Sequence, residues 1–368
     1  MRAWIIHRRF PLLLMLAAAA LWPLALGCKL LSDRLTRWNM LDQQALEDPI
    51  KAVGGDAIVF APKDADPSGK APPAGASAQE LVSFYSPVFI QQRVNTAAQP
   101  HPYPPEYDQI GEARLRREKG ELKAFVAGPP VVYAIYQKLP IGGRDHVQLT
   151  YTAWYPAHPR MKTIDLEEAD IDSCVLRVTL DDQNRPLFFE TIAACGCFHK
   201  VFVERRVEEA AAKVYGAPEK GKKFAVERTL KGAIDWEVAG VVDEARDGPR
   251  RPVVFIKAGD HKVIGLGSAG RLRVPAGADV HPYTLTEYSD LYSVPVADSG
   301  ERGPFFDVGD GGKVRGAERK ERFIMTLVGV DSAGQPRAND QIKLHFDQST
   351  WSDTTTYERF LRLPPGTL

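Results

Sequence analysis

Apolar and polar side chains alternate most regularly between Ile171 and His199. Cys174, Leu176, Val178 and Leu180 share one parity and Val175, Arg177 and Thr179 the other, the pattern of a strand that buries one face. Asp181 to Pro186 then supplies turn formers, with Asn184 suited to the left-handed conformation of a tight loop. On the return strand Leu187, Phe189, Thr191, Ala193 and Cys195 share a face, and Glu190 lies on the opposite one. A loop centred near Gln183 and Asn184 sets even positions of the first strand against odd positions of the second, so Cys174 faces Ala193 or Cys195.

Similar but shorter patterns predict strands over Leu81 to Gln91, Val131 to Gln137 and Val147 to Tyr155, with His146 on a polar side. Val203 to Tyr215 carries an apolar stripe at helical spacing and ends at Gly216, a suitable stop. The charged run Arg114 to Glu121 reads as a solvated turn or helix face. Beyond it, Ile234 to Val242 and Arg251 to Ile264 predict further strands, the latter divided by a hairpin turn at Ala258-Gly259-Asp260. Phe323 to Val330 is expected to pair with Ile342 to Phe346. These elements predict a mainly β fold of antiparallel sheets, sandwich-like, with a few short helices. The expected division is a signal peptide over 1–27, an anchored helix and Ala/Pro-rich tether over 28–78, a β-rich domain with the cysteine hairpin over 79–216, and a second β-rich half over 217–368.

Composition sharpens the location rather than the fold. Arg2, Arg8 and Arg9 precede an apolar run from Phe10 to Gly27 that ends at Cys28, the arrangement of an export signal. This leader resembles those of bacterial lipoprotein precursors, in which the cysteine after a small residue is diacylated and becomes the first residue of the mature chain. Gly27-Cys28 fits that pattern, whereas Ala25 and Leu26 depart from its usual leucine and small residue. The resemblance implies lipidation at Cys28; cleavage by the general signal peptidase and retention as an uncleaved anchor are the alternatives. All three place the body outside the cytoplasm, attached to the cell envelope in the first and third. Lys29 follows the cysteine where an aspartate commonly retains such proteins at the inner membrane, so the resemblance implies an outer-membrane anchor in a bacterium with two membranes.

The 368 residues contain 47 basic and 47 acidic side chains, so no net basic charge argues for nucleic acid as a partner. Abundant proline (28) and glycine (30) suit a loop-rich β protein.

Candidate chemistry centres on the cysteines. In an oxidising compartment Cys174 is expected to form a disulfide with Cys195 or Cys197, leaving one thiol over. The competing arrangement is a zinc or copper site made of Cys174, Cys195, Cys197 and His199, which requires the chain to bend at Gly196 because alternate strand residues stand about 6.5 Å apart. Tyr103, Tyr107, Trp154 and Tyr155 are candidates for a groove that takes an envelope glycan or a peptide, although such aromatics more often fill a core. His146, His158, His199, His261 and His281 are dispersed in the body; two of them meeting at Glu190, Asp145 or Asp172 would supply acid–base groups or a metal site. Gly265 to Gly270 fits G-x-G-x-x-G but is followed by a strand pattern rather than a helix, which favours a glycine-rich β-turn over a dinucleotide site. Asp307 to Gly312 lacks the spacing of a calcium loop. The favoured function is a lipid-anchored binding or structural module, with a metal-dependent hydrolase or metal carrier as the rival. The sequence leaves open whether the chain is an enzyme.

Overall fold

The computed structural model describes Val53, 57–64, Pro72, 75–230, 236–243, 250–268, 277–327, 329–345 and 349–368. The leader, Cys28 and most of the tether lie outside these residues. In chain order the principal strands are β1 (Ala57–Pro62), β2 (Val88–Gln92), β3 (Glu112–Glu118), β4 (Glu121–Ala127), β5 (Val131–Ile141), β6 (Arg144–Tyr155) and β7 (Asp172–Leu180). They continue with β8 (Pro186–Ile192), β9 (Lys200–Glu204), β10 (Val238–Val242), β11 (Pro252–Ile256), β12 (Val263–Ser268) and β13 (Asp279–Glu287). Among the described residues, four short helices accompany them: α1 (Ala78–Tyr85), α2 (Arg205–Tyr215), α3 (Glu321–Leu327) and α4 (Thr356–Phe360).

The chain is mainly β, as expected, but its principal sheet is not a pair of antiparallel layers. Eleven strands form one mixed sheet in the order β10-β9-β8-β7-β6-β5-β13-β1-β2-β11-β12. Parallel pairings join β10 to β9, β5 to β13, β13 to β1 and β2 to β11. The two end strands, β10 and β12, come into contact, so the sheet is nearly closed into a barrel. One apolar core takes a residue from each of the eleven strands and from α1, and therefore fills the inside of the curve. A second core lies on the outer face of β5 to β10 under α2, the β3–β4 hairpin and the carboxy-terminal segment. The sheet begins at Ala57, ahead of the expected start near Gln79, and it contains strands from both sides of residue 216, with β10 paired directly to β9.

The central hairpin forms as its alternation predicts. Val175 pairs with Ile192 and Leu176 with Thr191, which sets Cys174 toward Ala193. Asn184 takes a φ of 59° in the turn. The difference lies in burial, because every residue of β7 and β8 is buried. Cys174, Leu176 and Val178 face the barrel interior, and Arg177 and Thr179 lie beneath residues 351–361. Polar side chains survive there because they satisfy one another. Arg177 donates through Nε and Nη2 to the two oxygens of Glu190 at 2.8 and 2.7 Å, and through Nη1 to the Trp351 carbonyl at 2.7 Å. Tyr357 Oη donates to the same carboxylate, and His199 Nε2 lies 3.1 Å from it.

Three expected elements differ. Leu81 to Gln91 divides into α1 and β2, because Ser77 accepts from the Glu80 amide while Glu80 accepts from Ser77, a reciprocal cap that starts a helix. Arg114 to Glu121 is solvated from Arg117 onward and does contain a turn, at Lys119 and Gly120 with positive φ, but the flanking residues are the strands of the β3–β4 hairpin, with Leu115 buried, rather than a helix face. Glu321–Leu327 is helical rather than a strand.

Removing the Glu190 carboxylate would strand a buried guanidinium, a loss usually worth about 3–5 kcal/mol. Glu190→Ala is therefore expected to lower the urea unfolding midpoint by the equivalent of that range; an unchanged midpoint would show that Arg177 finds water.

Candidate functional site

Asp172, the first residue of β7, is reached from three distant parts of the chain. His158, on the loop after β6, meets Asp172 Oδ2 through Nδ1 at 2.9 Å. His261, in the β11–β12 turn, meets the same oxygen through Nδ1 at 3.0 Å. Arg319, just before α3, donates through Nη2 to Oδ1 at 2.5 Å, and the Ser173 amide donates to Oδ1 at 2.8 Å. Two of the dispersed histidines thus do converge on one of the named carboxylates. Sequence reasoning named His158, His261 and Asp172 separately and missed Arg319, whose place in a charged run gives no sign of its burial.

A second carboxylate extends the cluster. Asp108 Oδ1 lies 3.3 Å from His261 Nε2 and accepts from the Gly259 amide at 2.7 Å, while its Oδ2 accepts from Tyr103 Oη at 3.0 Å. Tyr155 stacks on the His261 ring at 3.8 Å. Burial opposes charge on His261, but its bonds to Asp108 and Asp172 prevail and raise it to about 9. Burial would likewise raise the Asp172 carboxyl, yet Arg319 and His158 hold it well below the usual carboxylate range. Both shifts favour the charged forms of Asp172 and His261, which draw His261 and Arg319 onto the carboxylate.

The cysteines do not assemble as expected. Cys195 and Cys197 form a disulfide with each other, and Cys174 is a free, buried thiol that belongs to the barrel interior. The expected continuation of one strand face through His199 fails because the chain leaves the strand after Ile192. Ala193 and Cys197 close a turn, Gly196 takes a φ of 87° and Phe198 one of 57°. A side chain at Gly196 would also collide with the Lys343 carbonyl, so glycine is required twice over. His199 is directed to Glu190 on the outer face, away from Cys174, and the proposed set of Cys174, Cys195, Cys197 and His199 is not brought together. Burial, together with nearby Asp172, pushes the Cys174 thiol up to about 12, which leaves it unreactive. His345, not singled out beforehand, lies 2.9 Å from the Cys195 carbonyl and 3.8 Å from Cys197 Sγ through its Nε2.

The four aromatics expected to line a groove are also separated. Tyr103 and Tyr155 belong to the charged cluster, and Trp154 is enclosed by Phe305 and Phe306. Tyr107 alone borders a cleft, of about 370 Å³, with Arg116, Phe125 and Asp170.

A larger cleft of about 640 Å³ opens elsewhere, between α1, β5 and the turn after β13. Its walls include Gln79, Val82, Ile135, Tyr136, Glu287 and Tyr292. Parallel pairing of β13 with β5 ends at Glu287 opposite Ala134. From Ile135 onward, β5 is paired only with β6 among the described residues, so one edge of the strand faces the cleft without a strand neighbour. No protein-family model, curated protein or solved structure matches the chain. Among the described residues no helix is long and apolar enough to cross a membrane.

The pH dependence of stability follows from the two shifted groups. His261, raised from an ordinary 6.5 to about 9, contributes fully below pH 6.5, and the contribution is lost as pH rises through about 9. Asp172, lowered from an ordinary 3.8, contributes above that pH and loses its effect in stronger acid. The melting temperature is expected to decline between pH 6.5 and 9, and His261→Gln should lower and flatten that profile; an equal decline in the variant would assign it to another group.

Proposed function

We propose that the chain is a peptide-binding module held at a cell-envelope membrane by a lipid on Cys28. The observation that carries the binding reading is the unpartnered edge of β5 beside the 640 Å³ cleft. A strand edge presents backbone N–H and C=O groups in the register that an extended peptide can continue. Val82, Ile135, Tyr136 and Tyr292 offer apolar contact for alternate side chains of such a peptide, while Gln79 and Glu287 give polar contact at the rim. The volume falls in the range of about 300–1,000 Å³ usual for ligand sites. An extended peptide suits this site because an open strand edge offers backbone donors and acceptors in a line that only another extended chain can match. Pro140 ends the edge, because it lacks an N–H to donate, and so limits the added strand to a few residues.

The leader supports the anchoring half of the reading. Cys28→Ala is expected to move the protein from the membrane to the soluble fraction of its host cells; unchanged fractionation together with an unmodified Cys28 by mass spectrometry would remove the lipid from the account.

Peptides selected from a random heptapeptide library displayed on phage are expected to protect from hydrogen exchange the alternate amides between Ile135 and Leu139 that point away from β6. Tyr292→Ala should weaken the selected peptides by about tenfold or more, the effect of losing an aromatic anchor. Selected peptides that protect another segment, or bind the variant equally well, would overturn the assignment.

A further inference from the structure

We propose that His158, Asp165 and Glu167 form a binding site for a divalent transition-metal ion of the zinc class, a function separate from the peptide cleft. The three residues sit on one loop whose base is closed by reciprocal backbone bonds between His158 and Ala169, at 2.9 and 3.0 Å. Within the loop, Asp165 Oδ2 accepts from the Met161 amide at 2.7 Å and Oδ1 from the Glu167 amide at 3.1 Å. These bonds fix the carboxylate and leave each oxygen a further lone pair. One donor atom from each of the three side chains lies within 4.8 Å of the other two.

The histidine supplies the independent observation. Its side chain is 1% exposed, and its Nδ1 is committed to Asp172. Nε2 is consequently turned toward Glu167 Oε2, at 3.6 Å, a separation longer than a hydrogen bond. Two ligands of one tetrahedral ion, each about 2.1 Å from it, stand about 3.4 Å apart. The gap between His158 and Glu167 is therefore the size of an ion rather than of a proton. A carboxylate behind a ligating imidazole also fixes the ring and its tautomer, which is the position Asp172 holds.

The donor set of one imidazole and two carboxylates suits zinc better than calcium or magnesium, which take oxygen ligands, or cuprous copper, which prefers sulfur. The neighbouring group of Cys195, Cys197 and Glu321 does not compete in this state, because its two sulfurs are bonded to each other. Access comes from the Glu167 side, where the side chain is 26% exposed. Lys262 Nζ, 4.0 Å from Glu167 Oε2, is the cation that an arriving ion would partly replace.

The test is a titration of the chelator-treated, intact protein with zinc sulfate, read by equilibrium dialysis and by melting temperature. One zinc per chain and a rise in melting temperature are expected for the natural sequence. Glu167→Gln should weaken binding at least tenfold, and the zinc-induced rise in its melting temperature, measured from the variant's own metal-free value, should be lost. His158→Gln should do the same to affinity; if that variant does not fold, Glu167→Gln decides alone. Cobalt bound in place of zinc should show no thiolate charge-transfer absorption. The proposal fails if the natural sequence takes up no zinc, or if Glu167→Gln binds it as tightly while Cys197→Ser does not.

Discussion

A single buried carboxylate, Asp172, is the point at which three segments of the chain meet. Its two oxygens are satisfied by the β6–β7 loop, the β11–β12 turn and the segment before α3. An unpaired charge in this position would be very costly, so the three segments must arrive together for any one of them to be tolerated. The cluster is also where the inner face of the sheet meets its outer covering, since Asp172 opens the strand that divides the two cores.

That strand accounts for much of the architecture. With both faces of β7 and β8 buried, the inner side chains fill the curve of the sheet while the outer ones need a second layer. The carboxy-terminal residues provide it by bringing Trp351 and Tyr357 over Arg177 and Glu190, and the Arg177 guanidinium stacks 4.0 Å from the Trp351 ring. The charged groups under this layer form closed sets, whereas the edge of β5 and the loop from His158 to Ala169 keep groups turned outward.

The hairpin at the centre was legible because its alternation and its turn chemistry agree, down to the left-handed Asn184. Its second buried face was not, because Arg177, Thr179 and Glu190 carry the pattern of a solvated surface and owe their shelter to residues far along the chain. The start of α1 carried a readable signal in Ser77 and Glu80, outweighed by the aromatic and β-branched residues that follow. The β3–β4 hairpin was hidden by arginines on its outer face, although Ala113 and Leu115 keep strand parity beneath them. For the site, residue types were informative and their meeting was not: His158, His261 and Asp172 are candidates by chemistry alone, but only the folded chain unites them. Cys174 misled, because a cysteine facing a core looks in sequence like one facing a partner.

The place of β13 between β1 and β5 carries a kinetic consequence. Ile58 has no parallel neighbour until Asp279 has been made, and Val131 waits similarly for Thr284. Closing such long loops before any contact rewards them slows folding. The barrel should therefore close late, after the hairpins of β5 to β8 have formed locally, and until then β1 and β5 each present an edge that only the distant β13 can cover.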